Sequence, residues 1–199
     1  QALVRAAARP VPVLLGAVVA MYFGMQIGFG GFLAAHLEHN LLFDRPLAAT
    51  AVAAYWGGMP VGRVVGVWIS GRIGPYTLAA GSLLLGLIAA LVVAVAPSAL
   101  VLLLAVAFSG VAIGPLLPIV VGIGVRYAPE AAASTTGLIM ALGGVGMVTL
   151  SLLTGSVADV LSVRAAIGLV PMFLAAGLML LMIGRARHVA ELSVRRSST

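Results

Sequence analysis

The sequence predicts an all-α membrane protein with six transmembrane helices. The composition is 62% hydrophobic and only 8% charged, with a mean hydropathy of +1.21, far from the averages of soluble globular proteins. Long apolar stretches fill most of the chain, and each has roughly the 20 residues that a helix needs to cross a bilayer. Because these stretches are continuous and do not alternate, they predict helices and not a β-barrel. The six stretches are Val11–Ala35, Leu47–Ile69, Tyr76–Ala96, Ala99–Val125, Ala132–Val157 and Val163–Ile183.

Short polar connections separate these stretches. The first stretch follows Arg5 and Arg9, but its length of about 25 residues and its lack of a clear small-residue cleavage site indicate a retained span, not a signal peptide. Prolines at 75, 97 and 129 stand in three of the connections, near helix ends, where proline is tolerated. The chain begins with Gln1 and not with Met, so we expect a trimmed chain, a fragment or part of a larger protein.

The arginines predict the orientation in the membrane. Six spans put both termini on one side, and eight arginines fall on that side against two on the other. This excess predicts cytoplasmic termini, in a bacterial plasma (inner) membrane. Residues 188–199 form a basic cytoplasmic tail, which we expect to lie on the anionic leaflet or to be disordered. The arginine-rich side holds Arg5, Arg9, Arg72, Arg126, Arg185, Arg187, Arg195 and Arg196, and the other side holds Arg45 and Arg164.

No enzymatic motif is present. The chain has no lysine, which excludes a P-loop, and no cysteine, which excludes disulfides and thiolate chemistry. Serine-hydrolase and zinc-protease signatures are absent, so we predict neither a catalytic residue nor a cofactor. The net charge of +6 comes from arginines at span ends, without the aromatic-interleaved basic stripe of nucleic-acid binding.

A patch of polar and aromatic residues falls near the bilayer midplane. Counting from the span ends places Tyr22, Gln26, Tyr55, Trp56 and Ser109 at similar depth. Such groups in hydrocarbon usually face the bundle interior or a cavity, and this set suits an uncharged or weakly polar ligand. The alternative is that a tyrosine or the glutamine only hydrogen-bonds a neighbouring helix. The sequence leaves both interpretations open.

Three ionisable residues end the first span on the outer side: His36, Glu38 and His39. Histidine titrates near neutral pH, so they fit a proton-sensing gate. They fit a solvated helix end equally. A metal site is the weakest interpretation, because the two histidines have no further ligand cluster.

Small residues recur every fourth position along the second span, at Gly58, Gly62, Gly66 and Ser70. They share one helix face, where a neighbouring backbone can approach closely. This predicts tight packing or, alternatively, a surface that slides when helices move. Arg63 lies two turns inside the same span and needs a partner, for which Glu130 is a candidate.

The segment from Gly62 to Gly74 reads G-R-x-x-G-x-x-x-x-x-R-x-G and resembles a loop motif of the major facilitator superfamily. The match is to the degenerate copy in the C-terminal half of those transporters, with Ser70 where the fuller motif has aspartate. Gly114-Pro115-Leu-Leu-Pro118 is similar to their tenth helix. The residues of the loop motif are Gly62, Arg63, Gly66, Arg72 and Gly74.

This resemblance implies six helices arranged as a 3+3 inverted repeat, equivalent to half of a twelve-helix transporter. It implies alternating-access transport of a small organic solute between two halves, with the midplane patch as the solute site and the loop motif as a gating contact. The partner is then a missing N-terminal half or a second copy of the chain. Tyr55-Trp56-Gly57-Gly58 looks most like the sugar-permease (fucose-permease-like) branch. The alternative is a non-transporting scaffold or assembly subunit that uses the same fold.

Overall fold

The computed structural model describes residues 9–95 and 98–197, with the side chains of 95 and 194–197 left aside. Arg5, the end of the predicted third span at residue 96, the side chains of Arg195 and Arg196, and the last two tail residues therefore lie outside what is described. The described residues form helices joined by short turns, with one 3-10 turn at Pro129–Ala131. The α-helices are α1 (Pro10–Asn40), α2 (Arg45–Ser70), α3 (Pro75–Val95), α4 (Ala99–Ile113), α5 (Leu116–Tyr127), α6 (Ala132–Val160) and α7 (Val163–Ser197).

The helices confirm the all-α membrane fold, with one difference in the spans. Within the described residues, five helical segments are long and apolar enough to cross a membrane, and α4 and α5 together form one of them. The predicted second span is α2, whose 26 residues suffice in length. It is less apolar than the others because it carries Arg63, a tyrosine, two tryptophans and four glycines.

The predicted fourth span is divided into α4 and α5 at Gly114 and Pro115. Proline has no N–H, so the carbonyl of Val111, four residues earlier, loses its usual helical donor. The chain still continues in helical conformation through both residues. The amide of Gly114 donates to the carbonyl of Gly110 at 2.9 Å, which preserves the direction of the span.

The contacts between helices repeat across two sequential triplets of spans. The first triplet is α1–α3, and the second is α4–α7 with α4 and α5 counted as one span. Helix α1 packs mainly against α6 and α7 of the second triplet. Helix α4 packs mainly against α2 and α3 of the first. Each leading helix thus crosses to the second and third members of the other triplet, as a 3+3 inverted repeat requires.

The seam between α2 and α4 brings two backbones into direct contact. A Cβ on Gly58 would meet the backbone of Val111 and the carbonyl of Ala107, and one on Gly62 would overlap the carbonyl of Val111. From the other helix, a Cβ on Gly110 would overlap the carbonyl of Tyr55. The carbonyl that Pro115 frees therefore points at Gly62, where the absence of a side chain admits it. The predicted stripe of small residues is thus a packing surface.

The equivalent seam, between α1 and α6, uses side chains at two glycines and a close backbone approach at a third, where a Cβ on Gly146 would overlap the Cα of Ala20. Leu142 fills the space beside Gly16, and Leu150 fills the space beside Gly24. Between them the pattern reverses, because Gly146 of α6 receives Ala20 of α1. Alternating large and small residues in this way brings the helices close without a void.

The C-terminal end of α7 docks on the bundle. The polar tail that we expected on the leaflet or disordered continues as helix to Ser197. The hydroxyl of Tyr76 lies 3.2 Å from Nδ1 of His188, and Tyr127 donates a short hydrogen bond to Glu191. Disorder is therefore wrong for residues 188–197, because Tyr76 and Tyr127 supply hydrogen-bond partners for the tail. Contact of the tail with the leaflet stays an expectation.

We predict that Gly62→Ala destabilises the bundle by about 1–3 kcal/mol, the usual cost of overpacking, because its methyl group overlaps the Val111 carbonyl. Gly57→Ala is the matched control, since a Cβ there meets nothing within 4 Å. In the control, alanine's better helix propensity makes the change neutral or slightly stabilising. Reversible unfolding in mixed micelles measures both, and an equal loss in the two variants contradicts the seam.

Candidate functional site

The midplane residues of α1 and α2 meet in the structure. The amide nitrogen of Gln26 donates to the hydroxyl oxygen of Tyr22 at 3.4 Å and to the sulfur of Met59 at 3.1 Å. The tyrosine is buried, whereas Gln26 is half-buried. Its amide oxygen has no hydrogen bond among the described residues. Gln26 therefore retains polar capacity at the bundle surface.

Tyr55 and Ser109 lie inside the packed core. Tyr55 is fully buried, and its hydroxyl contacts the sulfur of Met25 at 3.6 Å. Its ring packs edge-on with the ring of Phe29, with 5.0 Å between the ring centroids. Together with Ser109 it borders a void of about 10 Å³. A space of that size holds a single water at most. In this conformation these two residues are covered.

Trp56 connects the core to the surface. Its ring lies edge-on to Tyr55, 5.4 Å between centroids, and its other face covers Gly30 of α1. The residue is 43% exposed. Of the five residues predicted to contact solute, Trp56 and Gln26 therefore reach the surface, and Tyr22, Tyr55 and Ser109 are buried. Their role as solute contacts stays a prediction.

The sequence analysis missed Met25, Phe29 and Met59 as members of this cluster. Met25 and Phe29 stand three residues from Tyr22 and Gln26 on α1, a spacing that places them on adjoining faces. Methionine is unbranched and its thioether is polarisable, so it fits beside aromatic rings and accepts weak hydrogen bonds. That spacing was the available signal.

The arginines of the loop motif lie at the surface, with Arg63 on α2 and Arg72 in the turn that follows this helix. Arg63 is exposed, and its guanidinium is close enough to the Tyr22 hydroxyl to interact with it electrostatically. Its candidate partner Glu130 instead pairs with Arg9, at 2.9 Å. Arg72 stacks over the ring of Trp68 with 4.0 Å to the centroid. Both cations are thus presented at the surface.

The glycines of the motif have local structural roles. Gly62 lies in the α2–α4 seam, and a Cβ on Gly66 would collide with the ring of Pro115. The carbonyl of Gly74 accepts a hydrogen bond from the amide of Leu78 at 3.0 Å, where α3 begins. The motif therefore combines a packing surface with two exposed arginines.

The three outer residues do not form one cluster. His36 is buried, with its Nδ1 3.1 Å from the side-chain amide of Asn40 and its Nε2 lacking a partner among the described residues. Glu38 pairs with Arg45 at 3.4 Å, and His39 is exposed. Over the described range, no three His, Cys, Asp or Glu side chains come together as a metal site.

Helix α6 lines an open groove near its C-terminal end. This groove, of about 530 Å³, borders Ile27 of α1 together with Ser151, Ser156 and Asp159 of α6. The sequence analysis did not single out Ser151 or Ser156. By contrast, the large hydrophobic residues that α3 exposes are all aliphatic, as expected for a face in contact with lipid.

We predict that Tyr55→Ala lowers stability by about 3–5 kcal/mol, since removing a fully buried ring leaves a cavity. Trp56→Ala is the comparison, and its cost is smaller because its ring is already 43% exposed. Unfolding in mixed micelles and the abundance of folded protein test the difference. A greater loss in Trp56→Ala contradicts the assignment of Tyr55 to the core.

Solved transporter structures share this fold. A crystal structure of the POT family transporter PepTSo aligns with a TM-score of 0.74 and 17% identity, over 90% of this chain and 38% of that one. A peptide transporter POT in complex with alafosfalin aligns at 0.77 and 17%, over 94% and 42%. The major facilitator superfamily transporter FucP, in its outward conformation, aligns at 0.73 and 16%, over 89% and 42%.

The chain thus spans about two fifths of the length of these transporters. No curated protein matches it. The family model of the Major Facilitator Superfamily matches residues 14–198, nearly the whole chain. With its long apolar helices, the protein is an integral membrane protein, and it belongs to the Major Facilitator Superfamily.

Proposed function

We propose that this chain moves a small organic solute across the membrane by alternating access, as a secondary active transporter. It acts as the C-terminal half of a longer transporter, or as a half-size protein that dimerises. The observation that carries the proposal is the half-buried Gln26, whose amide oxygen is unused among the described residues and whose amide nitrogen bonds Tyr22 and Met59. Family membership supplies the transport mechanism.

The side chains favour an uncharged or weakly polar solute at this level. An amide offers both a donor and an acceptor, and an indole ring offers a flat apolar surface with one N–H donor. Sugars and small peptides both carry neutral hydroxyl or amide groups that match these partners. The sugar-permease resemblance and the two peptide transporters of similar fold make these the first solutes to test.

A second bundle completes the site in this proposal. Helix α2 exposes Val64 and Trp68, and α6 exposes Val145 beside the serine-lined groove. Hydroxyl and carboxylate groups are costly against lipid, and valines with glycines allow close helix packing. These faces fit a protein partner better than hydrocarbon. The chain covers only about two fifths of the length of each matched transporter, which supports the same arrangement.

The loop motif is the proposed gate on the cytoplasmic side of an inner membrane, with both termini on that side. Arg63 and Arg72 present two cations on the surface of α2 and the turn after it, where carboxylates or carbonyls of a partner bundle can bind them. At the outer end, the buried His36 is the proposed proton-linked residue, because its Nε2 has no described partner. Glu38 and His39 contribute at the surface.

We predict that Gln26→Ala lowers uptake by about tenfold. The variant loses one hydrogen bond to the solute and leaves a solute group desolvated without a partner, which weakens binding by about that factor. Membrane vesicles containing the complete protein are energised, and uptake of radiolabelled L-fucose and of dialanine is measured against vesicles without it. Leu91→Ala is the control, since it removes an exposed side chain of α3 that faces away from the cluster.

An equal reduction in both variants, after correction for membrane abundance, contradicts the proposed solute site. Absence of protein-dependent uptake of either probe, together with a co-purified partner unrelated to transporters, favours the scaffold alternative. Retained uptake in Gln26→Ala with normal affinity removes this residue from the site.

A further inference from the structure

A second cavity opens at the cytoplasmic side of the bundle. Its volume is about 240 Å³, and it lies between α2, α3 and α5. Ser70 and two arginines, Arg63 from α2 and Arg126 from α5, border it, and the remaining wall is apolar or proline. Gln26 and Trp56 do not border this cavity, but Arg63 does, and its guanidinium also interacts with the hydroxyl of Tyr22 in the midplane cluster.

The side chain of Arg126 lies back along its own helix. Its guanidinium lies 3.5 Å from the position that a Cβ on Gly122 would occupy, one turn earlier in α5. Helical side chains lean toward the N-terminus, and in α5 that direction leads away from the cytoplasmic end. Arg126 is exposed and borders the cavity from α5.

The cavity has a surplus of positive charge. The described residues that border it include two arginines and no acid. The two salt bridges found among the described residues, Arg9–Glu130 and Arg45–Glu38, involve neither of these arginines. Guanidinium groups from two helices form a set of donors that an anion with several oxygens satisfies. The hydroxyl of Ser70 already donates to the carbonyl of Val67, at 2.7 Å.

We propose that this cavity binds a phosphate group, through Arg63 and Arg126. Arginine presents a planar fork of donors that matches phosphate oxygens, and charge-assisted hydrogen bonds of this kind are the strong ones. The phosphate belongs either to a lipid headgroup or to a soluble molecule. The site goes beyond the proposed transport, because binding needs neither a gradient nor solute movement.

The test measures binding to the purified complete protein in detergent. Isothermal titration with inorganic phosphate, in buffers of constant ionic strength, probes the soluble source. Native mass spectrometry after incubation with dioleoylphosphatidylglycerol, and separately with a neutral diacylglycerol, probes the lipid source. We expect Arg63→Gln and Arg126→Gln each to weaken phosphate-group binding by about tenfold or more.

Arg187→Gln is the matched control, because it removes the same charge from an exposed position on α7 that does not border the cavity. We expect it to bind like the unaltered protein. Binding of inorganic phosphate identifies a soluble ligand, and retention of phosphatidylglycerol alone identifies the lipid. Binding of neither probe overturns the proposal, as does an equal loss in the Arg187 control. Retention of diacylglycerol equal to that of phosphatidylglycerol overturns the lipid source.

Discussion

The backbone contact between α2 and α4 is the constraint on which the rest of the structure depends. Gly58 and Gly62 face Gly110 and the carbonyl that Pro115 leaves without its helical donor. A methyl group at Gly62 would overlap that carbonyl, so the two helices cannot keep this separation with larger residues. In lipid there is little hydrophobic drive between helices, and close packing of this kind holds them together.

The seam positions the midplane cluster. Tyr55 is one turn from Gly58, and its carbonyl lies in the same seam, against Gly110. That placement fixes its ring between Met25 and Phe29, and it leaves the next residue, Trp56, pointing out of the bundle. The seam thus determines which α2 side chains are buried and which are exposed at the surface of α1 and α2. The same seam aligns Gly66 with Pro115, below which the two-arginine cavity opens.

The fold class was predictable from the sequence, because the length of the apolar stretches determines it. The sequence did not predict which of the five proposed solute residues are buried. Helix α1 is apolar on all sides, so its pattern does not separate the buried Tyr22 from the half-buried Gln26. His36 and His39 illustrate the same limit, since one is buried and the other exposed.

Long-range partners were also beyond the sequence. Glu130 was a candidate for Arg63 but pairs with Arg9, 121 positions away in the chain. The helical tail was missed because its docking depends on Tyr76 and Tyr127, which come from two other helices. Arg126 counted only toward topology, and the cavity that it borders is formed together with residues of α2 and α3.

The central claim is that the exposed face of α2 meets a second bundle and not lipid. The chain has no cysteine, so a single Val64→Cys variant, at a position 71% exposed, takes a benzophenone maleimide at one site. After illumination in native membranes, the account predicts a protein adduct with a second copy or an N-terminal half. Leu91→Cys on α3 is the reference position, 51% exposed, and should yield lipid adducts. Lipid adducts alone at Val64, or equal protein adducts at both positions, would contradict the account.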